Sequence, residues 1–230
     1  MDDKDKYRSE FVANVSHELK TPLTAIRSYV ETLLNGAIDD KENNLKFLQK
    51  IEENAINLQS LIDDILEISK LETGQTTEAF AEIDLCQVVG RAIETISNKA
   101  KKKGVVIETI PPKEKLLIKG KEELVYRAVL NLLDNAVNYT NEWGKVILSC
   151  TREAGSIKII VQDTGVGIPA EHLERIFERF FRVDKARSRL YGGTGLGLAI
   201  VKHAMNVHQG SVQVESEVGK GSKFTLTFPS

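Results

Sequence analysis

The chain has 230 residues, 41% of them hydrophobic and 28% charged, a composition typical of a soluble globular protein with one or two domains. A formal net charge of -2 gives no electrostatic reason to expect nucleic acid or an anionic membrane as a partner. Cys86 and Cys150 are isolated, which argues against a metal site or a disulfide framework and suits a reducing cytosol. No apolar run is long enough to span a membrane, so we expect a cytoplasmic protein or the cytoplasmic part of a membrane-anchored one.

Two long helices are predicted for residues 1–74, where glycine is almost absent. The first is expected over about 4–34, with a bend at Pro22, because proline removes one backbone hydrogen bond of the helix. Asn35 and Gly36 form a helix stop, and Asp39 and Asp40 are expected to start the second helix.

Both predicted helices have one apolar face. Two helices of roughly 30 residues each extend about 45 Å, and a single antiparallel pair cannot cover both faces. Four helices can, so we expect an all-α homodimeric four-helix bundle with two helices from each chain. A coiled-coil stalk without chemistry is the alternative. The apolar positions are Val12, Val15, Leu19, Leu23, Ile26, Val30 and Leu33 in the first helix, and Leu48, Ile51, Ala55, Leu58, Ile62 and Ile65 in the second.

His17 lies on the polar side of the first helix, roughly 160° from the centre of its apolar stripe at about 100° per residue. This position argues against a packed core histidine and leaves open an exposed histidine without a role. Glu18 follows directly, and it must turn to reach His17, because adjacent helical residues do not face each other. Such a contact would fix the tautomer of the imidazole and leave its other ring nitrogen free to act as a nucleophile.

Residues 75–82 are predicted to be a linker, and residues 83–230 a second domain. Helices and mostly antiparallel strands alternate in this domain, which indicates an α+β two-layer sandwich. Strands are expected at 105–110, 116–118, 145–152, 156–162, 211–216 and 222–228, and helices at 122–139, about 171–180, and 195–207, with an irregular stretch at 182–193.

Two carboxamides, Asn131 and Asn135, are four residues apart on the predicted helix and therefore lie one above the other. Their oxygens are suitable ligands for Mg²⁺, which takes oxygen donors and keeps phosphates and waters in its shell. Taken alone, the pair fits ordinary polar positions on an amphipathic helix better.

Asp163 follows a strand and comes just before Gly165 and Gly167. A buried carboxylate there could accept a hydrogen bond from the amino group of adenine, while the glycines let the backbone approach the ring. A simple turn at a strand end is the competing interpretation.

Residues 192–197, Gly-Gly-Thr-Gly-Leu-Gly, open a helix and offer backbone N–H groups to phosphates. Their spacing is neither that of a Walker A loop nor that of a Rossmann fingerprint. An exposed imidazole and a separate ATP pocket together indicate that the histidine accepts the phosphoryl group.

Five segments resemble, in order, the motif boxes of two-component sensor histidine kinases. The resemblance covers nearly the whole chain, and residues 182–189 are most similar to the phosphate-sensing and cell-wall-sensing subfamily. It implies a dimerisation and histidine-phosphotransfer bundle followed by a Bergerat-type ATP-binding domain. The segments are 11–24 for the phosphoacceptor box, 131–140 for the N box, 163–169 for the first glycine box, 177–184 for the phenylalanine box and 193–197 for the second glycine box.

The resemblance implies a protein histidine kinase that uses ATP and Mg²⁺ to phosphorylate His17 and passes the phosphoryl group to an aspartate on a response regulator receiver domain. Asn138 departs from the family, because many members have lysine or arginine there, and Lys185 or Arg187 is expected to compensate. A Bergerat-fold ATPase and a nucleotide-binding scaffold remain alternatives. The implied nucleotide site consists of Asn135 as Mg²⁺ ligand with Asn131 nearby, Tyr139 and Asp163 at the adenine, and Arg182, Gly193, Thr194, Gly195, Leu196 and Gly197 at the phosphates.

Two further expectations concern the first helix. Thr21 lies one turn after His17, and the Glu18 to Thr21 spacing matches a pattern linked to regulator phosphatase activity in similar kinases. A threonine merely tolerated before Pro22 is the alternative. The regulator is expected to dock beyond the histidine, on Ala25, Ser28, Tyr29 and Thr32, where Tyr29 could equally pack at the edge of the bundle.

Overall fold

The computed structural model describes residues 3–72, 79–153, 155–184 and 193–229. The chain divides into two compact units, one formed by residues 1–74 with 185–194 and the other by residues 75–184 with 195–230. Within the described ranges, no helix combines the length and the apolarity that crossing a bilayer requires. Residues 75–78 of the predicted linker at 75–82 lie outside the described residues, and the first strand of the second unit already begins at Ala81.

The first unit is a helical hairpin, as predicted. Helix α1 spans Asp3–Leu34 and continues through Pro22, and helix α2 spans Asn44–Glu72. A short 3-10 turn, Ala37–Asp39, joins the two helices.

The predicted start of the second helix at Asp39 and Asp40 is wrong. The carboxylate of Asp40 accepts hydrogen bonds from the backbone N–H groups of Glu42 at 3.0 Å and Asn43 at 3.3 Å. Asp40 therefore stabilises a turn, and α2 begins only at Asn44.

The hairpin leaves much of its apolar surface uncovered within a single chain. Val12 and Leu23 are each 57% exposed, and Leu48 in α2 is 52% exposed. By contrast, Leu33 and Leu61 are buried. The mixture of covered and uncovered apolar positions is what one hairpin taken from a larger bundle would show.

The second unit is the predicted α+β two-layer sandwich. Its strands are β1 Ala81–Asp84, β2 Val106–Ile110, β3 Leu117–Gly120, β4 Lys145–Glu153, β5 Ser156–Asp163, β6 Ser211–Glu217 and β7 Gly221–Pro229, and its helices are α3 Leu85–Lys103, α4 Glu122–Tyr139 and α5 Gly197–Val207. The main sheet has five strands in the order β2-β4-β5-β7-β6, in which β2 and β4 run parallel and the other neighbours antiparallel. A separate two-stranded antiparallel sheet joins β1 to β3.

Helix α4 is the central element of the helical layer, because it contacts both α3 and α5 and also packs against β4 and β5. Val125, Val129 and Leu132 are buried on one side of α4, at the spacing of an amphipathic helix. Each such side chain stabilises the fold by about 1.5–3 kcal/mol relative to exposure. This burial fixes the rotation of α4, and with it the direction in which Asn131 and Asn135 project.

Helix α3 was not predicted, although the sequence marks both of its ends. The carboxylate of Asp84 caps its first turn by accepting the N–H of Cys86 at 3.0 Å, and Gly104 ends it with a φ of 71°. Three lysines occupy the last turn, where cations are favourable.

The helix predicted at 171–180 is absent; the structure has a 3-10 turn at Ala170–His172 followed by further turns. Phe180 explains the difference, because it has a φ of 61° and its N–H donates to the carbonyl of Gly195 at 2.8 Å. A bond to a distant residue therefore replaces a helical one.

Candidate functional site

His17 projects from α1 with 67% of its side chain exposed. Its Nδ1 atom lies 3.7 Å from Oε1 of Glu18, whose side chain is only 22% exposed. Glu18 has therefore turned toward the imidazole, at a distance slightly beyond a direct hydrogen bond. Among the described residues, none forms a hydrogen bond with Nε2, so the contact occupies one side of the ring and leaves the other accessible.

Thr21 is exposed one turn further along α1, and its hydroxyl donates to the carbonyl of His17 at 3.2 Å. This bond occupies the proton of the hydroxyl and leaves its lone pairs as acceptors.

The surface predicted to receive a regulator is only partly exposed in the hairpin. Ser28 and Thr32 are exposed, and the hydroxyl of Thr32 donates to the carbonyl of Ser28 at 2.9 Å. Ala25 and Tyr29 are half-buried, and the ring of Tyr29 packs against Phe47 of α2 with a centroid distance of 6.1 Å. Tyr29 thus contributes to the packing of the hairpin while part of its ring stays at the surface.

Asp163 ends β5 and is buried. Its Oδ1 atom accepts the N–H of Gly165 at 2.8 Å and the N–H of Ser222 at 3.2 Å. Burial raises the pKa of Asp163, and these two hydrogen bonds oppose that shift. No described residue donates to Oδ2, so the structure holds one oxygen of the carboxylate and leaves the other to accept a hydrogen bond.

The loop after Asp163 approaches its neighbours so closely that only glycine fits. A Cβ on Gly165 would lie 2.4 Å from the carbonyl oxygen of Tyr139, and one on Gly167 would lie 2.1 Å from that of Glu217. Gly167 also has a φ of 71°. These glycines are therefore required by the packing of the protein itself, in addition to any approach of a ligand.

Gly197 brings the start of α5 against the N box. A Cβ on Gly197 would lie 2.9 Å from Oδ1 of Asn131, so the absence of a side chain lets the two segments meet. The preceding Leu196 is completely buried, and Gly195 has a φ of 73° beside Phe180. The buried side chain of Leu196 therefore anchors the loop at the N-terminus of α5.

The remaining residues of the predicted phosphate group belong to different units or lie outside the described ranges. Arg182 is half-buried at the end of a described stretch. Gly193 and Thr194 fall in the first unit, whereas Gly195 belongs to the second. Lys185 lies outside the described residues.

Asn135 and Tyr139 are half-buried on α4, and the carbonyl of Tyr139 accepts the N–H of Val166 at 3.1 Å. This bond joins the end of α4 to the loop after Asp163. Within the described residues, no group of three or more histidine, cysteine, aspartate or glutamate side chains could hold a metal. An amide oxygen, completed by phosphates and waters, instead fits the preferences of Mg²⁺.

Asn138 does not take over a phosphate contact from the lysine or arginine that the resemblance leads us to expect at this position. Its side chain is buried and donates to Oδ2 of Asp134 at 2.8 Å, and Asp134 also pairs with Lys99 of α3. Lys103 donates to the carbonyl of Val137 at 2.9 Å. Asn138 therefore helps to join α4 to α3 and has a structural role in this chain.

Two serines of the β6–β7 hairpin, Ser216 and Ser222, were not among the predicted site residues. Ser222 reaches Asp163 through its backbone N–H. Gly219 and Gly221, which have positive φ angles, mark a tight turn there. Nothing in the local sequence connects that turn with a carboxylate 59 residues away.

Comparisons with known proteins agree with this geometry. The family described as "His Kinase A (phospho-acceptor) domain" matches residues 7–74, and "Histidine kinase-, DNA gyrase B-, and HSP90-like ATPase" matches residues 120–230. The chain is 41% identical to the sensor-like histidine kinase SenX3 of Mycolicibacterium smegmatis, over 96% of the chain and 57% of that protein. It is 37% identical to the phosphate regulon sensor protein PhoR of Pseudomonas aeruginosa, over 97% of the chain and 50% of that protein.

A solved structure of histidine kinase ThkA in complex with response regulator protein TrrA has a similar fold, with a TM-score of 0.80 at 24% identity. The match covers 99% of this chain and 63% of that one. The chain spans about half the length of the two relatives named above. The two family matches and these relatives show that the chain belongs to the two-component sensor histidine kinases, of which it contains the phosphoacceptor and ATP-binding domains.

Proposed function

We propose that this chain phosphorylates itself on His17 with ATP and passes the phosphoryl group to an aspartate of a response regulator receiver domain. The observation that carries the proposal is the exposed imidazole of His17 with the Glu18 carboxylate turned toward Nδ1. A core histidine would be enclosed, and a surface histidine without a role would not require a half-buried carboxylate beside it. Because ATP is the phosphoryl donor, the chain would work in the cytosol.

His17 acts as the nucleophile. Glu18 favours the tautomer with the proton on Nδ1, so that Nε2 presents its lone pair. Nε2 forms a bond to the γ-phosphorus of ATP while the bond from that phosphorus to the β–γ bridging oxygen breaks, and ADP leaves. The positive charge that develops on the imidazole is stabilised by Glu18, which can take up the Nδ1 proton. Catalysis otherwise depends on positioning and charge neutralisation.

The nucleotide is held by groups of the second unit. Oδ2 of Asp163 accepts a hydrogen bond from the amino group of adenine, and Tyr139 packs against the ring. The N–H groups from Gly195 through Leu196 to Gly197 bind phosphate oxygens at the start of α5. Mg²⁺ at Asn135, with Asn131 one turn away, would supply the neutralisation of phosphate charge. Arg182, Lys185, Gly193 and Thr194 are proposed as further phosphate contacts.

The regulator docks on α1 beyond His17, at the surface formed by Ala25, Ser28, Tyr29 and Thr32. An aspartate of the regulator can then reach the phosphohistidine. The solved ThkA structure, which contains a response regulator, supports this class of partner. The exposed apolar positions of the hairpin support a homodimeric four-helix bundle, and Thr21 supports an additional phosphatase activity toward the regulator.

The experiment incubates the full chain with γ-labelled ATP and Mg²⁺. Label that stays on the protein in base and is lost in acid supports the kinase, because a phosphoramidate has this stability. Released phosphate without labelled protein would indicate an ATPase, and neither product would indicate a scaffold that only binds nucleotide. Either of the last two results would contradict the proposal.

A further inference from the structure

The β6–β7 hairpin lies directly against the loop that follows Asp163. The N–H of Gly219 donates to the carbonyl of Val166 at 2.8 Å. A Cβ on Gly167 would lie 2.1 Å from the carbonyl oxygen of Glu217, and one on Gly221 would lie 2.0 Å from that of Asp163. The two segments therefore meet backbone to backbone, and a shift of the hairpin must move the loop.

Ser216 lies at the centre of this contact. Its hydroxyl accepts the N–H of Ile168 at 2.8 Å, donates to the carbonyl of Gly221 at 2.9 Å and lies 2.9 Å from the hydroxyl of Ser222. A serine hydroxyl has one proton and two lone pairs. Since the proton is used for Gly221, the hydroxyl of Ser222 must donate to Ser216, and the hydrogen-bonding capacity of Ser216 is complete.

This network ends on the carboxylate of Asp163. Oδ1 receives the N–H of Ser222 from the hairpin and the N–H of Gly165 from the loop. Ser216 joins these two segments, because it binds Ile168 on the loop side and both Gly221 and Ser222 on the hairpin side. The two donors fix the rotation of the carboxylate, and its rotation determines where Oδ2 lies.

We propose that Ser216 is a positioning residue for base recognition: it locks the hairpin to the loop so that Oδ2 of Asp163 faces the amino group of adenine. Ser216 thereby sets the preference for a 6-amino purine over a 6-oxo purine without touching the nucleotide. The inference rests on the proposed binding of ATP to the second unit.

The test compares ATP with ITP, which has an oxo group where adenine has its amino group. Calorimetry on the full chain gives the ratio of the two affinities for wild type, S216A, S216T and the control S211A. Ser211 lies on the same strand and is exposed. We expect S216A to reduce the preference for ATP about five- to tenfold, the value of roughly one hydrogen bond, with ITP affinity unchanged. S216T keeps the hydroxyl and should retain most of the preference, and S211A all of it.

The inference is overturned if S216A keeps the wild-type ratio, or if it lowers both affinities equally, since the role would then be general stability. Thermal unfolding of each variant without nucleotide identifies a folding defect, and Ser216→Cys, which is nearly isosteric with weaker hydrogen bonds, gives the same readout if the alanine variant does not fold. A wild-type chain that binds neither nucleotide would contradict the proposed function itself. A wild type that binds both nucleotides equally would leave ATP binding in place and overturn the role of Asp163 and Ser216 in base recognition.

Discussion

Asp163, the proposed contact for adenine, carries a buried carboxylate whose ionisation lowers the stability of the fold. Burial raises its pKa in the folded state, against the effect of the N–H groups of Gly165 and Ser222. The ionised form is therefore less favourable in the fold than in the unfolded chain. A carboxyl group whose pKa is raised by folding stabilises the fold fully at pH values below its pKa in the unfolded chain. This stabilisation is lost as the pH rises through its pKa in the folded state.

Asp163→Asn should therefore not destabilise the nucleotide-free protein at neutral pH, because the amide keeps an acceptor for both N–H groups and never ionises. The melting temperature of the variant relative to wild type should rise as the pH increases from about 4 to neutral, while its preference for ATP over ITP is lost. Scanning calorimetry across this pH range, with ligand titrations, provides the measurement. A variant that is less stable than wild type by the same margin at every pH would refute the prediction.

Thr21 offers a different residue-scale prediction. Its proton is bound to the carbonyl of His17, and its lone pairs can hold a water molecule in line with an aspartyl phosphate docked beside His17. Thr21→Ala should slow dephosphorylation of the purified phosphorylated regulator on the order of tenfold, with autophosphorylation retained. Thr24→Ala, at another exposed threonine of α1, is the control. Equal loss of both activities would indicate a disturbed helix near Pro22, and no change would rule out the role.

At the scale of helices and strands, the start of α4 is stabilised by a buried histidine, His208. Lys121 precedes the helix without a side-chain cap, and its N–H donates to Nε2 of His208 at 2.9 Å. The other ring nitrogen of His208 lies 2.7 Å from the carbonyl of Ala204. Both ring nitrogens therefore bind backbone groups, and the ring joins the end of α5 to the start of α4.

His208→Phe keeps a ring of similar shape but removes both hydrogen bonds. We expect the free energy of unfolding to fall by about 1–3 kcal/mol, because the partners stay partly buried. Urea unfolding at neutral pH measures the change, and His172→Phe, at a half-buried position on the 3-10 turn, is the control. A loss below about 0.5 kcal/mol for His208→Phe would show that these bonds contribute little to α4.

The local sequence pattern predicts those helices and strands that are determined by interactions between residues close in sequence. The bounds of α4 at Glu122–Tyr139 agree with the sequence prediction because its apolar positions follow one helical face. Helix α3 is absent from the sequence prediction, although Asp84 and Gly104 mark its two ends clearly. The turns after His172 could not be predicted, because Phe180 is held by the distant Gly195. The same reason applies to the site: motif spacing indicated Asp163, whereas its donor Ser222 is brought to it only by the pairing of β5 with β7.

At the scale of the whole molecule, the uncovered apolar face of the hairpin predicts a dimer. Burying a charge in this face without a partner is strongly unfavourable. Leu48→Glu should therefore weaken self-association at least tenfold in sedimentation equilibrium, whereas Lys46→Glu, an exposed change on the same helix, should have little effect. A wild type that stays monomeric at micromolar concentrations, or a Leu48→Glu variant that associates normally, would contradict the four-helix bundle.

The central claim is that His17 is the phosphoacceptor, and labelling of His17→Gln tests it most directly. Wild type and variant are incubated with γ-labelled ATP and Mg²⁺, and ATP affinity is measured on both by calorimetry. We predict acid-labile, base-stable label on the wild type, no such label on His17→Gln, and equal ATP affinity, because the glutamine has no nucleophilic ring nitrogen and the nucleotide is bound by the second unit. Acid-labile label that persists on His17→Gln would contradict the account and transfer the role to another histidine.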